Sequence, residues 1–93
     1  MADRPDIKDK DWIYFGSGVL KKRAIVCDVR PPGHDMGDIE IVYLDDRDRA
    51  INDEMVWNST AWEFKYKGPS GGYADRSDRL RPYVARLRAG PPS

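Results

Sequence analysis

Between Asp38 and Lys67 the chain alternates in twos. Trp62, Phe64 and Tyr66 are interleaved with Glu63, Lys65 and Lys67. In an extended strand that spacing puts rings on one face and charges on the other, whereas a helix would scatter both around its circumference. The same rhythm runs through Ile39, Ile41 and Tyr43, with Glu40, Val42 and Leu44 forming a half-apolar opposite face. Such a strand belongs in the middle of a sheet, covered on one side and partly covered on the other. Ile51–Trp57 supplies a strand between these two. The charged stretch Asp45–Arg49 reads as a solvent-facing turn, and Asn58-Ser59-Thr60 is short and polar enough for a hairpin connection. That hairpin brings Trp57 and Trp62 together.

The rest of the chain continues the pattern outward. Residues 1–10 are charged and contain Pro5, which predicts a flexible N-terminal arm. Asp11–Phe15 starts as a short aromatic strand, Gly16-Ser17-Gly18 allows a sharp turn, and Val19–Val29 is a second strand or strand pair with its most apolar run at Ala24–Cys27. Pro31–Gly37 must be a loop, because two prolines cannot donate to a ladder. Gly68–Gly72 is another. The segment from Tyr73 to Arg88 reads two ways. Leu80, Val84 and Leu87 have the spacing of a helix face that Ser77 would cap, with Pro82 tolerable only in a first turn. A 3₁₀ turn at Leu80–Tyr83 followed by a strand at Val84–Leu87 fits too, and is the reading preferred here. The expectation is one mostly β domain over residues 11–88, an antiparallel barrel of five to six strands with a short 3₁₀ or helical turn near its C-terminus. Residues 89–93 form a disordered tail.

Composition decides whether such a chain can hold a core. Leu, Ile, Val and Phe make up only 18 of 93 residues, close to the level of about 20% at which disorder sets in. Zero net charge and ten aromatic rings argue for folding, with rings supplying what aliphatics do not. The neutrality conceals two blocks. Residues 1–62 carry 9 basic against 13 acidic side chains, and residues 63–93 carry 7 against 3. Blocks of opposite sign can pair within one molecule, between two copies or with separate partners, and the first is the reading preferred; a monomer or weak homodimer is expected. A single cysteine excludes an internal disulfide, and one histidine leaves little for zinc. The first residues lack the apolar run of a signal peptide and there is no long apolar segment, so a cytoplasmic protein with no membrane contact is expected.

Three stretches carry a family resemblance. Arg23–Val29 and Asp38–Asp45, separated by a loop, look like the second and third strands of a Tudor-type barrel. Leu80–Leu87 is similar to the closing 3₁₀ turn and last strand of SH3 domains. The resemblance implies an SH3-like barrel, with Tyr43 as one wall of an aromatic cage for a methylated Lys or Arg and Trp12 or Phe15 as another. Lys22 and Asp46 stand where that family has further aromatics, which departs from the cage pattern.

Chemistry is sparse. Asp45, Asp46, Asp48, Asp53 and Glu54 are interrupted by Arg47 and Arg49 and lack the glycine of a calcium loop, so they read as a solvated turn. Cys27 lies in the most apolar strand and His34 in a Pro/Gly loop, a poor platform for a nucleophile and its base. No enzyme, cofactor or metal is expected. A small barrel cannot easily bury ten rings, so the reading preferred is a non-catalytic module that binds a protein or peptide through surface aromatics, with Trp12, Phe15, Tyr43 and Trp57 as contacts. The alternative is a nucleic-acid-binding barrel that uses Arg79, Arg81, Arg86 and Arg88.

Overall fold

A computed structural model describes residues 4–16, 21–66 and 72–91. Six strands form one antiparallel sheet: β1 (Trp12–Phe15), β2 (Lys22–Val29), β3 (Ile39–Leu44), β4 (Ala50–Trp57), β5 (Trp62–Phe64) and β6 (Gly72–Tyr73). The spatial order is β1-β2-β3-β4-β5, and β6 lies on β4 beside β5. The sheet curls into a half-barrel. A 3₁₀ turn at Ala74–Arg76 and one helix, α1 (Arg81–Ala89), complete the elements among the described residues. No helix among the described residues is long and apolar enough to cross a membrane. The expected turn at Ser17-Gly18, and the loop at Gly68–Gly71, lie outside the described residues.

Alternation builds the concave side. Ile13, Phe15, Ala24, Val26, Ile41 and Tyr43 point into the half-barrel, where Trp62 and Met55 join them. A bulge corrects the parity of β2. The register skips between Val26 and Asp28, leaving Cys27 as the extra residue. Simple alternation would have turned Asp28 inward. The bulge instead sets Asp28 opposite Glu40 and returns Val29 to the inner row, packed against the first core. Trp57 and Trp62 meet as expected, with ring centroids 5.3 Å apart in a T-shaped pair.

The convex side is covered as well. Val42, Ile25 and Cys27 on the outer face of β2 and β3 pack under Leu80, Val84 and Leu87 of the C-terminal segment. β3 is therefore buried on both faces rather than half-covered. This layer exists because Val84–Leu87 is helical, not the strand preferred from sequence. Pro82 sits in the first turn, where its missing N–H has no partner to lose. The Val84 amide donates to Leu80 O at 3.0 Å, and the Gly90 amide closes the last turn on Arg86 O at 3.1 Å. Ser77 does not cap this helix. Leu80 occupies the cap position without a side-chain bond, and the Ser77 amide belongs to the 3₁₀ turn through Ala74 O. With the expected closing strand turned into an external helix, no ladder joins β1 to β5 among the described residues.

Candidate functional site

The open seam has two backbone edges, and the hydrogen-bond parity tells which residues face it. The Val26 amide donates to Asp11 O at 2.8 Å, making Asp11 and Val26 the last bonded pair before β1. Bonded pairs recur every second residue in an antiparallel ladder. Ile13 with Ala24 and Phe15 with Lys22 are then the next ones. Trp12 and Tyr14 direct their N–H and C=O groups away from β2, and β1 has no second ladder partner among the described residues. Lys10, held at φ 74°, donates its amide to Val26 O at 2.7 Å and ends the pairing in a bulge-like kink. Across the seam the Lys65 amide reaches Glu54 O, which by the same parity leaves the edge groups of Trp62 and Phe64 outward. Phe15 and Phe64 span the gap from within, their centroids 5.3 Å apart.

The rings divide sharply between core and surface. Phe15 (7% exposed) and Tyr43 (4%) belong to the inner core, edge-to-face at 5.4 Å, so neither is a surface contact as expected from sequence. They follow the inward parity of Ile13 and Ile41. Burial, with Asp53, Asp45 and Asp46 nearby, pushes the Tyr43 hydroxyl up to about 12. Trp57 is half-buried against the core, and its indole Nε1 has no hydrogen-bond partner among the described residues. Trp12 is half-buried on the outer face beside the helix layer, with the Arg23 guanidinium 5.8 Å from its ring centre. Of the four expected contacts, the structure places Trp12 alone on the free edge. The residue missed is Tyr14. It is 51% exposed, flanks Trp12 on the same face, and carries the Lys21 ammonium 5.4 Å from its ring centre. The signal was present in Trp12–Phe15, where alternation sends Ile13 and Phe15 inward and the other two outward, but four residues fix no parity by themselves.

Three of the four C-terminal arginines are engaged elsewhere. Arg79 Nη1 donates to Glu40 at 2.9 Å, Arg81 pairs with Asp78 at 3.2 Å, and Arg88 reaches Asp75 at 3.8 Å and the Asp48 carbonyl at 3.2 Å. Arg86 is exposed and has no ion pair among the described residues. Tyr73, the exposed ring nearest them in sequence, is approached by Arg49 at 5.2 Å and Arg76 at 5.8 Å, so cations already occupy its surroundings. The two charge blocks thus meet in part within the molecule, through Arg79 and Glu40.

Glu40 organises a covered polar cluster on the outer face. It accepts from Arg79 and from the Cys27 thiol at 3.1 Å, while Arg30 lies 3.7 Å away and also pairs with Glu54 and Asp28. Burial opposes ionisation of Glu40, yet hydrogen bonds from Arg79 and Cys27 and the two guanidinium charges hold its carboxyl below the usual range. The Cys27 thiol is pushed far upward by burial and then by Glu40, which keeps it protonated. His34 lies in the exposed loop, accepting the Met36 amide at Nδ1. Asp45 is a turn cap, accepting the Arg47 and Arg49 amides at 2.9 Å each. Among the described residues no group of His, Cys, Asp and Glu could hold a metal ion. A recess of about 120 Å³ between Lys22, Arg23, Leu44 and Leu87 is too small for an ordinary ligand. Comparison with protein families, with curated proteins and with solved structures finds no match to this chain.

Proposed function

We propose that this chain is a non-catalytic binding module that takes an extended segment of a partner protein as an added strand along β1, with Trp12 and Tyr14 as its surface aromatics. The half-barrel is read as an SH3-like, Tudor-type barrel whose missing closing strand is supplied in trans. One observation carries the reading: the outward N–H and C=O groups of Trp12 and Tyr14 on an edge no described strand covers. An edge of this kind gives affinity through main-chain bonds and specificity through alternate side chains. The protonated, buried Cys27 supports a non-catalytic role, since the thiolate is the nucleophilic form. A nucleic-acid reading finds less support, because Arg79, Arg81 and Arg88 already face carboxylates.

The test is selection of peptides from a randomised display library, followed by amide exchange on the complex. Bound peptides are expected to slow exchange at Trp12 and Tyr14, and Tyr14→Pro, which removes an edge donor without disturbing the ladder to β2, is expected to abolish capture. Selected peptides that leave those two amides unchanged and protect another surface refute the reading.

A further inference from the structure

The free edge is not electrically neutral. Lys22, Arg79, Arg81 and Arg88 each have a carboxylate within 4.0 Å, but Lys21 and Arg23 have none among the described residues. Both instead lie over the rings of β1, Lys21 Nζ 5.4 Å from the centre of Tyr14 and Arg23 Cζ 5.8 Å from that of Trp12. The two acids that immediately precede β1 in sequence are turned to other partners. Asp11 accepts the Lys8 amide at 2.9 Å, and Asp9 accepts the Tyr83 hydroxyl at 2.7 Å. Among the described residues, the outer face of β1 therefore presents two cations without counter-ions, beside a row of backbone groups without a strand.

From this charge arrangement, and resting on the strand-addition reading above, we propose that the segment taken up by β1 is acidic: an extended strand that alternates apolar residues, facing the Ile13 and Phe15 side, with Asp or Glu facing the Trp12 and Tyr14 side. A carboxylate on the outer face of a strand beside β1 is a diagonal or cross-strand neighbour of the rings over which Lys21 and Arg23 lie. The same cations disfavour a second copy of this chain as the occupant. Two β1 edges paired back to back would set like charges against each other, the way natural sheets protect an open edge. The pair thus excludes self-association and admits an acidic partner.

The experiment uses the full chain and three synthetic peptides of equal length in which Val alternates with Glu, Gln or Lys. Affinity is read by fluorescence anisotropy and amide exchange at Trp12 and Tyr14 by NMR. The Glu peptide is expected to bind about tenfold more tightly than the Gln peptide, from two cross-strand charge pairs, with the Lys peptide weakest and the difference shrinking in salt. Lys21→Glu with Arg23→Glu reverses the order; Lys21→Glu alone, at an exposed position, narrows it. Equal affinities with protection of both amides overturn the acidic preference and leave strand addition standing. No protection by any peptide overturns strand addition, and the preference with it. A free chain that sediments as a dimer with these amides protected assigns the edge to self-association and overturns both.

Discussion

Replacing Leu87 by Ala tests whether the last segment is the external helix that leaves the seam open. Leu87 is 1% exposed and lies under the helix against the outer faces of β2 and β3. Truncation removes three methylene equivalents, about 2.4 kcal/mol of transfer free energy at roughly 0.8 each, and the cavity left behind raises such changes to about 2–5. The site borders the small recess with Lys22, Arg23 and Leu44, into which neighbours can relax, so a loss of about 2–3 kcal/mol is expected. For a domain of this size that is a fall in Tm of roughly 10–20 °C, read by far-UV circular dichroism and cross-checked by the urea midpoint. Ala85→Glu is the companion. On the helix Ala85 is exposed, one turn from Arg81 and Arg88, so the change should stay within about 0.5 kcal/mol. In a strand Ala85 and Leu87 would share a buried face and both substitutions would be costly. If Ala85→Glu costs more than about 1 kcal/mol, or Leu87→Ala less than about 0.5, the two-layer arrangement is refuted.

Two further outcomes follow from buried or bonded ionisable groups. Tyr43, through burial, and Tyr83, through its bond to Asp9, are each pushed up to about 12; their folded values lie above the ordinary value of about 10, so their contribution to stability is complete below pH about 10 and lost as pH rises toward about 12. Absorbance titration should resolve two late tyrosines, with Asp9→Asn returning Tyr83 alone toward the ordinary range; a shift in both removes the assigned cause. Cys27 should react with iodoacetamide at neutral pH more than about tenfold more slowly in the folded chain than in urea, because only opening of the helix layer exposes a thiolate; rapid native modification contradicts its placement.

Much of the sheet was legible because two-residue alternation is a local property. Ile39–Leu44, Ala50–Trp57 and the Trp57–Trp62 hairpin could be read from neighbours in the chain. Three features could not. Leu80–Leu87 carries only two turns of pattern, and Pro82 suits the first turn of a helix as well as a turn before a strand; the choice was made by an apolar outer face on β2 and β3 that a local reading treats as half-exposed. The bulge at Cys27 is a single extra residue whose need shows only when β2 is laid against β3. The edge itself depends on the parity of four residues, fixed by a bond from Val26 to Asp11 that no local pattern announces. Arg79 found its carboxylate 39 positions away, which composition could suggest as charge pairing but not assign.

The placement of the C-terminal segment also sets how this chain can assemble. In a barrel closed by its last strand, the two ends of the polypeptide must find each other before the sheet is complete, and that loop closure slows folding. Among the described residues, four of the five pairings join strands consecutive in sequence, and the fifth, β4 with β6, spans about twenty residues. The sheet can zip from one hairpin to the next while the helix settles afterward on a surface already formed. The terminal regions then meet on the outer face, where the Tyr83 hydroxyl donates to Asp9 and Trp12 packs beside the helix layer. A nascent chain emerging N-terminus first has nearly everything it needs for the inner core before residues 81–89 have been made.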